Sequence, residues 1–298
     1  MRTINPSPCR SRNRIGAFVG LGMISIYALY HQQTTGTHLP IARQASVLSM
    51  GSSANARPFE THLRADPLAG MIQARAEHRR DVTDYECVMM KQELLPAGMS
   101  EEQQIAVKYR REPYSVYMNW LQNPGLATRV IYVRGKWTDP SANDADEGEL
   151  AVAQPGVIAR VFIKSIRQPI HGKLARASSR RFIDDFGFER TFDQLIEVSE
   201  LGRARGELSL EFKGETEFDG RPVWVIRRVL PYTGEGGRYP DRTAEILIDK
   251  AYRVPVAVYC YSDEEMNSGL LLAKYEYRRV RMQVGLTDKD FDPATYGM

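Results

Sequence analysis

Residues Lys108–Trp120 read KYRREPYSVYMNW, and the spacing of apolar side chains in this stretch decides the fold class. From Tyr114 onward every second residue is Tyr, Val, Met or Trp, and the residues between them belong to the opposite face. This period of two is typical of an antiparallel strand that covers a core with one face. Glu112-Pro113 separates this strand from the preceding candidate, Gln103–Arg111, and predicts a connection between neighbours.

The same period continues on both sides of this pair. Asp219-Gly220 favours a tight hairpin, because both central residues of such a turn need positive φ. Asp66-Pro67 predicts a helix start, and Phe188–Leu201 places its apolar residues on one helical face. The remaining strand candidates are Tyr85–Leu95, Thr128–Gly135, Gly206–Lys213, Arg221–Val229, Thr243–Asp249, Val254–Tyr261 and Leu270–Val284. The pattern predicts a single α+β domain built on a strongly curved antiparallel sheet.

Composition and charge limit the function classes. The chain has 298 residues, 43% of them apolar and 26% charged, which is typical of a globular protein with a sizeable core. No acid precedes Glu60, and removing the six arginines of residues 1–59 from the net charge of +3 leaves −3 for residues 60–298. The basic excess therefore lies in a leader, and we expect no nucleic-acid partner.

The leader has the three parts of an export signal. Four arginines precede sixteen uncharged residues, Ile15–Tyr30, and a polar segment follows. We predict an export signal or N-terminal membrane anchor in residues 1–30, a flexible linker in 31–63 and one domain in 64–298. The location predicted is the periplasm or cell envelope. Cleavage and inner-membrane anchoring through residues 15–30 both remain open, and a buried N-terminal helix is the alternative.

The cysteines allow two interpretations. Cys9 precedes the apolar run, so Cys87 and Cys260 belong to the exported part. Two cysteines in an oxidising space could form a disulfide, and free buried thiols are equally common in such apolar runs. No Cys-x-x-Cys or close histidine pair is present, so the sequence predicts neither a metal site nor a cofactor.

The apolar concave face of such a sheet must be covered from water. The two predicted helices are too few to cover it, so the pattern is consistent with a hydrophobic groove that holds an acyl chain. Methionines such as Met89, Met90 and Met118 would adapt its wall to variable ligands. The alternative is that these side chains pack on one another. The predicted ligand-binding residues are Val116, Met118, Trp120, Tyr275 and Tyr277.

Particular motifs resemble a known family. Asp84–Cys87, the stretch Lys108–Trp120 and Val133–Lys136, with Val284–Thr287 and Phe291–Pro293 near the end, are similar to a bacterial family of exported proteins of unknown function. More remotely, Ile246–Lys250 running into Val254–Val256 resembles the periplasmic lipoprotein-carrier superfamily. That resemblance implies a half-open antiparallel barrel, lidded by helices, with an apolar cavity for lipid chains. It also implies a lipid or lipidated protein as partner.

The sequence offers few catalytic motifs. No Gly-x-Ser-x-Gly elbow or phosphate-binding Gly-Lys-Ser/Thr is present. Asp184-Asp185 could belong to an envelope enzyme with dispersed carboxylates, although adjacent acids are typical of solvated turns. The cluster Arg176, Arg180 and Arg181 favours a solvated loop, with contact to anionic headgroups as the alternative. We predict a non-catalytic binding protein for a lipid, acyl chain or lipoprotein. An enzyme acting on glycans or lipids and a scaffold or sensor with a self-filled cavity are the alternatives.

Overall fold

A computed structural model describes residues 52–141, 148–156, 163–234 and 236–298. The helices are α1 (Ser52–Ala65), α2 (Pro67–Asp81), α3 (Lys173–Ser178) and α4 (Phe188–Ala204). The strands are β1 (Asp84–Leu95), β2 (Gly98–Met99), β3 (Gln103–Arg110), β4 (Ser115–Gln122), β5 (Ala127–Val133), β6 (Leu150–Pro155), β7 (Ile166–Pro169), β8 (Ser209–Phe218), β9 (Arg221–Val229), β10 (Thr243–Asp249), β11 (Pro255–Tyr261) and β12 (Leu271–Met282).

The twelve strands form one antiparallel sheet that does not close. Its order is β7-β6-β5-β4-β3-β1-β12-β11-β10-β9-β8, with β2 paired to β1 alone. The first and last long strands meet in the middle, and β7 and β8 form the two free edges. Shifts of register occur in six of the strand pairs, and such bulges increase local twist and curvature. The predicted α+β fold with a strongly curved sheet is confirmed.

Local sequence explains where the elements begin and turn. The Asp66 carboxylate accepts hydrogen bonds from the backbone N–H groups of Leu68 and Ala69 at 3.1 Å, as expected of an N-cap before a proline. Asp219 and Gly220 have φ angles of 53° and 71°, so the predicted hairpin turn joins β8 and β9.

Helix α1 begins before the boundary predicted between linker and domain. The sequence prediction ended the linker at residue 63, whereas α1 begins at Ser52. Phe59 and Leu63 are 2% and 0% exposed, and the Phe59 ring packs 5.2 Å from the ring of Trp224. The Ser- and Ala-rich composition concealed a helix that packs through a few large side chains. The predicted export segment and the rest of the linker lie outside the described residues.

The C-terminal segment covers the convex side of β3 and β4. The Tyr296 ring stacks on Tyr117 with centroids 4.1 Å apart, and Phe291 is fully buried. The Lys108 ammonium lies 2.6 Å from a carboxylate oxygen of Asp290. The outward-facing residues of the stretch Lys108–Trp120 therefore bind the end of the chain, which leaves its other face for the concave side.

Candidate ligand-binding cavity

A cavity of about 680 Å³ lies on the concave side of the sheet. Its walls come from β1, β3, β4, β5, β6, β7 and β12, so it occupies one half of the curved sheet. Apolar side chains dominate the wall, among them Met89, Ile105, Met118, Trp120 and Val130. These residues follow the period of two along their strands, which turns alternate side chains toward the concave side.

The segment that links the two runs of strands covers this cavity. Helix α3 contributes Leu174 and Ala175, and the following turn contributes Phe182 and Ile183. The Tyr114 hydroxyl lies 2.9 and 2.8 Å from the backbone carbonyl oxygens of Ile183 and Phe186, and its single hydrogen is shared between these two acceptors. The cover is therefore hydrogen-bonded to the residue directly before β4.

A cluster of aromatic rings packs behind Phe186 and Tyr277 of the cavity wall. The Tyr85 ring stacks on Tyr109 at 4.7 Å and contacts Phe188 at 4.6 Å between centroids. Gly187 passes close to this cluster with a φ of 115°, and a Cβ there would lie 3.0 Å from the Tyr109 ring. Only glycine combines this backbone conformation with so close an approach.

A buried polar network connects the strands to the cover. The Tyr275 hydroxyl donates to a carboxylate oxygen of Glu93 at 2.6 Å, and the Lys91 ammonium lies 3.0 Å from the second oxygen. The Ser179 hydroxyl, one residue after α3, donates to Glu93 at 3.3 Å and accepts from Lys91 at 3.1 Å. Glu93 is 1% exposed, so these partners replace the water that would otherwise surround its carboxyl group.

Four of the five predicted ligand-binding residues line the cavity. They are Met118, Trp120, Tyr275 and Tyr277. Val116 is 0% exposed and lies outside the cavity wall. Its partners on the neighbouring strands are Tyr109 and Tyr132, and the rings of the aromatic cluster occupy the concave side at this position. No measurement assigns a ligand to any of them, so the binding role stays a prediction.

The methionine prediction is correct in part. Met89 and Met118 line the cavity, whereas Met90 does not. Met89 and Met90 are neighbours on β1, so their side chains point to opposite faces of the sheet.

Two charged wall residues were missed or misjudged from sequence. Lys91 lies two residues after Met89 on the same strand, and this spacing indicates that both side chains are on the concave face. Arg181 belongs to the cluster interpreted as a solvated loop, yet it lines the cavity. That interpretation is wrong for Arg181, because the turn after α3 folds back over the sheet.

Of the two interpretations that the sequence left open for the cysteines, the structure has the free thiols. Cys87 and Cys260 are both buried free thiols. They lie on β1 and β11, which are separated by β12, so the strands are roughly 10 Å apart. A disulfide needs Cα atoms within about 7 Å. Burial raises the pKa of both thiols, that of Cys260 to about 12.

The adjacent acids have separate environments. An Asp184 carboxylate oxygen lies 3.0 Å from Nε2 of His171. Asp185 lines the cavity, and its burial together with the nearby Asp184 carboxylate raises its pKa. The two groups therefore differ in partner and in exposure to the cavity.

The described residues contain neither a metal-ligand cluster nor a membrane-spanning helix. Within residues 52–141, 148–156, 163–234 and 236–298, no three His, Cys, Asp or Glu side chains are placed to hold a metal ion. In the same part of the chain no helix is both long and apolar enough to cross a bilayer.

One family model matches most of the chain. The model described as "Protein of unknown function (DUF1571)" matches residues 82–296. The chain belongs to the DUF1571 family. This match includes β1 to β12 and the C-terminal segment, and it confirms the family resemblance found in the sequence. No curated protein matches the chain.

Solved structures similar to this DUF1571 chain share little sequence with it. MucB has 11% identity and a TM-score of 0.43, over 76% of this chain and 62% of the MucB chain. The lipoprotein LppX from Mycobacterium tuberculosis has 12% identity and a TM-score of 0.35, over 76% and 100% of the two chains. A LolA superfamily protein from Nitrosomonas europaea has 10% identity and a TM-score of 0.24, over 76% and 97%.

Proposed function

We propose that this chain is an exported, non-catalytic binding protein that holds an acyl chain of a lipid or lipidated protein. The observation that carries this proposal is the cavity of about 680 Å³ with its mainly apolar wall. A methylene group occupies roughly 30 Å³, about the share of one water molecule in the liquid. The cavity therefore has room for about twenty methylene groups, which suits one long chain better than two.

The character of the wall supports binding over chemistry. Each methylene moved from water to such a wall contributes about 0.8 kcal/mol, and this gain needs no reacting group. Thioether side chains such as Met89 and Met118 change shape easily and suit chains of variable length. The polar groups of Glu93 and Ser179 are already hydrogen-bonded to one another.

The proposed location is the periplasm or envelope, and it rests on the leader. Its arginine flank and apolar run are typical of an export signal, and anchoring to the inner membrane remains an alternative to cleavage. A lipid-carrying role in the envelope agrees with such a leader.

Native mass spectrometry of the full chain, combined with lipid extraction, tests the proposal directly. We expect an acyl species to co-purify or an added fluorescent fatty acyl probe to bind. Trp120→Ala removes a large ring from the wall and should weaken probe binding about tenfold or more.

Leu121→Ala is the matched control. Leu121 is the next residue on β4, is 50% exposed and lies outside the cavity wall. We expect this variant to bind the probe like the unmodified chain. An empty protein that rejects every added acyl probe would contradict the proposal and favour a scaffold that docks protein partners.

A further inference from the structure

The cavity wall includes an arginine, Arg181, whose guanidinium stacks on an aromatic ring. Arg181 follows α3 and lines the wall, and its guanidinium carbon lies 4.7 Å above the centre of the Tyr275 ring. Stacking on an aromatic face holds a guanidinium in one plane and leaves its N–H edges open.

The guanidinium of Arg181 has no acceptor among the described residues. Its backbone N–H donates to Ser179 at 3.3 Å, but its side chain makes no hydrogen bond and no ion pair within this part of the chain. Two buried cations of the described residues are paired instead. Lys91 is paired with Glu93 at 3.0 Å, and Arg228 is paired with Asp241 at 2.9 Å.

The neighbouring acids do not bind the Arg181 guanidinium. Glu93 attracts it electrostatically but is engaged by Lys91, Tyr275 and Ser179. Asp185 also lines the cavity; its burial and the nearby Asp184 raise its pKa, whereas Arg181 acts to lower it. The five N–H donors of the guanidinium therefore have no acceptor among the described residues, and donors of this kind beside apolar space favour an anionic ligand group.

We propose that Arg181 binds the anionic end group of a single-chain acyl ligand whose tail occupies the cavity. A carboxylate and a phosphate monoester share the required chemistry, since the planar guanidinium bonds two oxygens of either group at once. This inference rests on the proposed acyl-binding function, and it adds the class of ligand, a monoacyl amphiphile with an anionic end.

The test compares ligands of equal length that differ at one end. Dodecanoic acid, dodecyl phosphate and uncharged dodecanol compete with the neutral fluorescent probe N-phenyl-1-naphthylamine on the full chain at neutral pH. We expect one or both anionic ligands to bind at least about tenfold more tightly than dodecanol, since hydrogen bonds to charged groups are the strong ones. The tighter of the two anions distinguishes a carboxylate from a phosphate end group.

Variants then assign the preference to one side chain. Arg181→Met should remove the preference by weakening the two anions far more than dodecanol, and displacement of the probe by dodecanol in this variant shows that the cavity still takes an acyl chain. Arg181→Lys keeps the charge without the planar fork and should give an intermediate ratio. Lys173→Met is the control, because Lys173 is exposed and lies outside the wall.

Each outcome decides between the proposals. If Arg181→Met keeps the anion preference, or if the unmodified chain shows none, the role of Arg181 is wrong while acyl binding stands. If neither the anions nor dodecanol displace the probe, the proposed function itself fails, and this inference fails with it.

Discussion

Removing one hydroxyl from the cavity wall should destabilise the fold measurably. Tyr275→Phe deletes the group that donates to Glu93 at 2.6 Å and leaves the ring in place. Tyr275 is 6% exposed and Glu93 1%, so water does not replace the lost donor. The Glu93 carboxylate then keeps only Lys91 and Ser179 as partners.

The size of the effect follows from the type of bond. A hydrogen bond to a buried charged group contributes about 1.5–3 kcal/mol, so we expect the free energy of unfolding to fall by about 2 kcal/mol. For a unit of this size each kcal/mol shifts the unfolding temperature by roughly 2–4 °C. The variant should therefore unfold about 4–8 °C below the unmodified chain.

Urea and thermal unfolding, followed by circular dichroism, measure this loss. Tyr277→Phe is the matched control on the same strand and the same face. Its hydroxyl lies 3.5 Å from the Thr191 hydroxyl, too far for a strong bond, so the variant should lose less than about 1 kcal/mol. Equal losses in the two variants, or no loss in Tyr275→Phe, would refute a stabilising hydrogen bond from Tyr275 to Glu93.

Two other predictions concern buried ionisable groups. Burial, with Arg111 nearby, lowers the pKa of His78 to about 4, below its ordinary value of 6.5. The folded state thus favours the neutral ring. The stability that results is fully present above pH 6.5 and is lost as the pH falls toward 4, because the ring becomes protonated in the unfolded chain first. We expect about 3 kcal/mol of pH-dependent stability from this group. In urea titrations, the free energy of unfolding of His78→Phe should depend less on pH than that of the unmodified chain. An unchanged pH dependence would show that His78 does not cause it. Cys87 and Cys260 should react with iodoacetamide only after unfolding, and peptide mapping that finds either of them alkylated in the native protein would contradict their burial.

Strand periodicity predicted the faces of the sheet but not the ends of the cavity. Alternation alone placed Met118, Trp120 and Tyr275 on the concave side. The same alternation included Val116, which lies where Tyr109 and Tyr132 fill the space. These rings come from other strands, and their positions depend on register and curvature, which a local pattern does not contain.

The cover of the cavity was hidden for a different reason. Helix α3 has six residues, which is too short for a helical period to show. The placement of Arg181 depends on its stacking on Tyr275, a residue on a strand far along the chain. In sequence the arginine stands among other basic residues and is typical of a solvated loop. The proposed function thus depends on a segment with little local signal in the sequence.

The open sheet also has a consequence for solubility. Unpaired edge strands are templates on which other chains can add strands and aggregate. Strand β7 has four residues and ends at Pro169, which lacks an N–H donor. Strand β8 is longer, but it shifts register between Phe212 and Gly214 and exposes charges such as Lys213 and Glu217. Both edges therefore discourage strand addition. The sheet can remain unclosed, as the proposed ligand binding requires, without aggregating through its edge strands.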